Sequence, residues 1–131
     1  MKYVPTIAGI LLGLVFAAGA IVYFLKLVPM PPPPAGSPAA SFMTAMYPTG
    51  YLDFVKVLEL VGGILVAVPR TRNLGLLVLG PIIVNILAFT IFINKGVGLT
   101  QPPVVMITVL AAYLLWSARK AFGGLLTKAQ G

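Results

Sequence analysis

This sequence predicts an all-α fold: a polytopic membrane protein in which residues 1–131 form one bundle of four transmembrane helices. Three observations lead there. The 131 residues are 60% apolar and only 8% charged, with a mean hydropathy of +1.06, so the chain lacks the polar surface that a water-soluble domain needs. Three uncharged runs, residues 3–25, 73–94 and 96–118, each reach the roughly 20 apolar residues that cross about 30 Å of hydrocarbon. A fourth stretch, 51–68 (YLDFVKVLELVGGILVAV), has the right length and apolar content but carries Asp53, Lys56 and Glu59, so it spans only by taking its acids inside. The expected spans are about residues 4–26, 50–69, 73–94 and 102–120, with a proline-rich external connection over 27–49.

The first span opens like a signal peptide, with basic Lys2 and small Ala17, Ala18 and Ala20. Its apolar segment is about twice the usual signal core, which favours a retained helix. Gly9, Gly13 and Ala17 recur every four residues, a spacing that lets another helix approach closely; a channel lining or hinge is the rarer use of such glycines. The connection that follows contains Pro29, Met30, Pro31, Pro32, Pro33 and Pro34. These prolines stop the first helix and favour an extended polyproline backbone, read as a rigid connector or a partner-docking surface. A helix can restart over 39–46 with Ser41 as a candidate cap, and 48–50 should break it.

Along the second span, residues three apart are neighbours on a helix, so Lys56 can face both Asp53 and Glu59. Gly62 and Gly63 offer a second close-packing surface. The turn PRTRN leaves Arg70 and Arg72 among headgroups with Asn73 as the cap of span three, and makes spans two and three antiparallel neighbours. Pro81 should kink span three, and Pro102–Pro103 suit the first turn of span four. Glu59 lies about 15 Å from the Pro69 end of span two, and Asn85 about 18 Å from the Asn73 start of span three. Matching depth allows a Glu59–Asn85 hydrogen bond, with Thr90 near the depth of Asp53 completing a polar track. This cluster reads either as an interhelical clamp, in which each contact contributes about 1 kcal/mol, or as a ligand or proton site, because intramembrane charge is commonly functional. No acid lies deeper, so a continuous proton wire lacks residues on the other half.

The net charge of +7 has a topological meaning here rather than a nucleic-acid one. Lys2, Arg70, Arg72, Arg119, Lys120 and Lys128 fall on one side of a four-span chain, against Lys26 and Lys95 on the other, which places both termini in the cytoplasm. Tyr113, Trp116 and Tyr23 suit interfacial anchoring, and contact of the basic residues with anionic lipid is a further reading. The sequence contains neither cysteine nor histidine. Thiol chemistry, the usual haem and zinc ligands and the usual general base are therefore missing, and no metal site or catalytic residue is expected.

The combination of PMPPPP (29–34), GYLDFVKVLELVGGILV (50–66) and LGPIIVNILAFTIFI (79–93) resembles the DoxX family of small four-span bacterial membrane proteins, over about residues 9–116. The resemblance implies an inner-membrane protein whose relatives are associated with quinone-linked sulfur oxidation, oxidative-stress complexes or, distantly, receptor assembly. Its acidic and amide positions fall on Glu59 and Asn85, without an agreed chemical role. Relatives often read LFHLFL where this chain reads AFTIFI, which places Thr90 at the usual histidine. Threonine cannot ligate haem or shuttle protons as histidine does.

The function expected is that of a non-catalytic accessory subunit or assembly factor of a respiratory or redox complex. It would sit in the bacterial inner membrane among lipids and other membrane subunits, with no intrinsic cofactor beyond a quinone or lipid. The alternatives are a quinone-contacting oxidoreductase subunit whose electrons come from another chain, and a small transporter that uses Glu59.

Overall fold

A computed structural model describes residues 3–27 and 32–126, and these contain helices, turns and no strand. Lys2, Pro29, Met30, Pro31 and Lys128 of the sequence reading lie outside the described residues.

Helix α1 (Val4–Leu25) takes Pro5 in its first turn, where a missing N–H costs nothing. It ends with Lys26 in the left-handed region at φ 52°: the Lys26 N–H donates to the Tyr23 carbonyl (3.4 Å) and the Leu27 N–H to Val22 (3.1 Å), the paired bonds of a Schellman ending. Helix α2 (Pro38–Met46) starts one residue before the expected position, and its cap is Ser37 rather than Ser41. The Ser37 hydroxyl accepts from the Ala40 N–H (3.2 Å) and donates to the Pro34 carbonyl (2.6 Å). Pro38 at the first helical position needs no donor partner, which fixes the cap immediately before it. Gly50, at φ 81°, turns the chain into α3 (Tyr51–Ala67), a conformation glycine adopts without a Cβ penalty.

A 3₁₀ turn (Pro69–Thr71) leads into α4 (Arg72–Ala88). Asn73 is therefore not the cap: Thr71 holds that position, and its hydroxyl donates backwards to the Leu65 carbonyl (2.7 Å), satisfying an acceptor at the end of α3. The helix continues through Pro81 and then widens into a π turn over Phe89–Ile93, in which the Asn94 N–H reaches the Phe89 carbonyl (3.0 Å). Thr90 supplies a reason: its hydroxyl donates to the Ile86 carbonyl (2.8 Å), competing for an acceptor of the α-helical ladder.

Helix α5 (Pro102–Ser117) begins with its two prolines and stops short of residue 120, and a short α6 (Arg119–Gly123) takes over. Ser117 Oγ donates to the Leu114 carbonyl (3.1 Å) and Arg119 Nη1 to the Trp116 carbonyl (2.9 Å), so side chains satisfy the acceptors that end α5.

Among the described residues, two helical stretches are long and apolar enough to cross a membrane: Val4–Leu25, with 22 residues, and Pro69–Ile93, with 25. At 17 and 16 residues, α3 and α5 rise only about 26 and 24 Å.

The helices close into a ring, α1 against α3 and α5, α3 against α4, and α4 against α5. Glycines set the tightest seam. A Cβ on Gly9 would lie 2.6 Å from the Val66 carbonyl oxygen, and one on Gly63 would lie 2.9 Å from the Gly13 oxygen and 3.2 Å from the Ala17 nitrogen. The Gly9/Gly13/Ala17 face thus packs on α3 within the same chain. Gly62 faces Leu79 of α4, and Gly75, which the sequence reading missed, meets the backbone at Val66. One apolar cluster fills the ring, with Leu12, Val66, Leu79 and Leu114 fully buried.

Candidate functional site

Toward the end of the ring where α1 finishes and α3 begins, residues of α2, α3 and α4 line a cavity of about 620 Å³. Each wall follows from helical spacing. Helix α3 presents Leu52, Val55, Lys56 and Glu59, and α4 with the π turn that follows it presents Ile82, Asn85, Ile86 and Phe89, both sets recurring every three or four residues on one face. Helix α2 contributes Phe42, Met43 and Met46, and the Phe42 ring meets Phe89 at 4.8 Å between centroids. Sequence spacing gave no sign that this short helix would join the site. The volume and the apolar lining with few polar groups match an ordinary small-molecule pocket.

Three of the predicted residues, Lys56, Glu59 and Asn85, come together here. Glu59 is only 7% exposed, and its Oε1 lies 3.6 Å from Lys56 Nζ. That is an ion pair longer than a hydrogen bond, so the carboxylate keeps acceptor capacity. The expected Glu59–Asn85 hydrogen bond does not form: the two side chains line the same cavity without bonding each other.

Asp53 and Thr90 do not join the cluster. Lys56 does not bridge to Asp53, because Tyr23 on α1 supplies a closer donor. The Tyr23 hydroxyl donates to Asp53 Oδ1 at 2.7 Å, and the Tyr23 ring also carries the Lys56 ammonium 5.5 Å from its centroid, a cation–π distance. The sequence marks Tyr23 only as an interfacial anchor; its position near the end of α1, level with the start of α3, is the signal for this second role. Thr90 is buried with its hydroxyl committed to its own helix, so it extends no polar track.

The cavity can hold an apolar molecule with a small polar head. Lys56 and Asn85 offer donors to a carbonyl, and Glu59 offers an acceptor to a hydroxyl. Comparison with protein-family models, curated proteins and solved structures finds no match to this chain.

Proposed function

We propose that the chain is a four-span protein of the bacterial inner membrane, with both termini cytoplasmic, that serves as a non-catalytic accessory subunit or assembly factor of a respiratory or redox complex. In this reading the α2–α3–α4 cavity holds a quinone-like ligand or a lipid. The observation that carries it is the cavity itself: Lys56, Glu59 and Asn85 set into an otherwise apolar chamber at one end of the ring.

The membrane setting is supported by the outer surface. Leu14 (60% exposed), Ile64 (55%), Val84 (66%) and Val109 (59%) face outward from α1, α3, α4 and α5 respectively, an encircling apolar surface that water would penalise. The four-span topology is supported by the grouping of chain ends, since Pro5, Arg72 and Ala118 line one cavity while Tyr23 and Asp53 meet at the other end. The basic residues Arg70, Arg72, Arg119 and Lys120 belong to the first of these ends, which the charge rule assigns to the cytoplasm. The helices α3 and α5 are short for a span, but their flanking turns, Pro69–Thr71 and α6, lengthen the path at that same end. Resemblance to DoxX proteins supports the redox association, and the absence of cysteine and histidine from the sequence supports a partner chain as the source of electrons.

The test is isolation from the native membrane in mild detergent, with bound quinones, lipids and copurifying chains identified by mass spectrometry. Redox subunits should copurify, and a quinone should be retained by the native chain but depleted in Glu59→Gln and Asn85→Leu. A chain that runs alone and retains no quinone or cavity lipid would overturn the proposal.

A further inference from the structure

The opposite end of the ring holds a second cavity, of about 520 Å³, whose chemistry is the reverse of the first. Its lining brings together Arg72 from the start of α4, Arg119 and Lys120 from α6, and the polar side chains of Asn73 and Ser117. The whole sequence contains two side-chain carboxylates: Asp53 lies at the other end, where Tyr23 meets it, and Glu59 lies at the middle of α3, paired with Lys56. Glu59 lies eight residues before the end of α3, about 12 Å along the helix. No acidic side chain of this protein can neutralise the three cations, and among the described residues none of them is in an ion pair.

Arg72 is the strongest indication. Its guanidinium is held from the α1 side, with Nη2 donating to Thr6 Oγ1 at 3.0 Å, while Nε is buried without a hydrogen-bond partner. A Cβ on Gly9 would lie only 3.1 Å from that Nε, so the glycine makes room for the arginine. Arginine stays charged at any relevant pH, and a partly buried guanidinium without a counter-ion is costly. Arg119 is fixed at the rim by its bond to the Trp116 carbonyl (2.9 Å) and by stacking 4.3 Å from the Trp116 ring. The positive end of the α4 dipole, at Arg72 and Asn73, adds to the same field.

We infer that this cavity is a binding site for a phosphate-bearing anion, with Arg72, Arg119 and Lys120 as its ligands. An anionic phospholipid headgroup and a free phosphate share that chemistry. The site is separate from the proposed quinone cavity and does not depend on it.

Trp116 is the chain's single tryptophan and stacks on one of the proposed ligands, so its fluorescence reports occupancy. The full-length protein, delipidated in an uncharged detergent, would be titrated with phosphatidylglycerol, with phosphatidylcholine of the same chains, and with inorganic phosphate. A saturable response to phosphatidylglycerol but not phosphatidylcholine identifies a lipid headgroup, and saturation by inorganic phosphate alone identifies a soluble source. The exposed pair Arg119→Gln/Lys120→Gln should raise the midpoint about twenty-five-fold, at roughly five-fold per cation removed. Arg70→Gln, at the same end but outside the lining, should change it by less than about two-fold under screening salt. Arg72→Gln, which removes one cation, should raise it roughly five-fold but risks the α1–α4 contact, so the pair carries the decision. No saturable response to any anion, or an equal loss in Arg70→Gln, would overturn the inference.

Discussion

Replacing Gly13 with alanine tests the packing that holds both cavities in place. A Cβ at this position would overlap the Gly63 carbonyl oxygen and stand 2.9 Å from the Ala67 Cβ. Neither neighbour is the tip of a flexible side chain, so the collision is relieved only by parting α1 from α3. Overpacking of this kind costs about 1–3 kcal/mol. Alanine also gains about 0.5–1 kcal/mol over glycine inside a helix, which complicates a comparison with the native chain. Gly19→Ala, in the same helix with nothing within 4 Å of the added Cβ, carries the same gain without the collision. The difference between the two variants isolates the packing cost, so Gly13→Ala should be less stable than Gly19→Ala by about 1–3 kcal/mol. Equilibrium unfolding in mixed micelles, followed by far-ultraviolet circular dichroism, measures it. Coincident unfolding curves would refute the close α1–α3 seam.

Lys56→Met should destabilise the fold more than Glu59→Gln, by about 1–3 kcal/mol, because it strands a carboxylate only 7% exposed, whereas the lysine left by the second change keeps the Tyr23 ring and some solvent; adding Glu59→Gln to Lys56→Met should recover most of the loss in the same unfolding assay. Tyr23→Phe removes the 2.7 Å bond to exposed Asp53 and should cost no more than about 1 kcal/mol, with no effect of Tyr23→Phe in an Asp53→Ala background, where the acceptor is gone. Ser37→Ala should loosen α2 by about 0.5–2 kcal/mol; hydrogen exchange should quicken at Ala40 and along α2 while α1 and α3 keep their protection.

Apolar runs and periodicity made the four long helices legible, because burial of a stripe and the length of a span both leave a trace in residue order. The glycine spacing 9–13–17 was readable for the same reason, and the structure identifies its partner as α3. What could not be read depends on which rotamer and which neighbour win locally. Ser41 reads as a cap until Pro38 is recognised as the first helical residue, which moves the cap to Ser37. Asn73 lost its capping position because a 3₁₀ turn had already wound the chain through Thr71. Equal depth placed Glu59 and Asn85 around one cavity but could not show that they leave a gap between them, and Lys56 was offered two carboxylates without any hint that Tyr23 would take one. The part played by α2 was hidden because nine residues carry too little pattern to say which face they cover.

The distribution of charge argues against a conduit through this chain. Asp53 lies at one end, Glu59 at the middle of α3 and a cluster of cations without acidic partners at the other end, and between Glu59 and those cations the interior is filled by Leu12, Val66, Leu79 and Leu114, each without exposed surface. A proton or solute leaving Glu59 toward the basic end would meet no polar side chain in that layer, and the α1–α3 seam beside it is too tight to admit even a methyl group at Gly13. Crossing would require the glycine contacts to open, whereas a ligand can enter the first cavity past α2 alone, through a short helix that adds one buried residue, Ala39, to the interior. The geometry thus sets a packed apolar waist between two cavities of opposite chemistry, one toward each end of the ring.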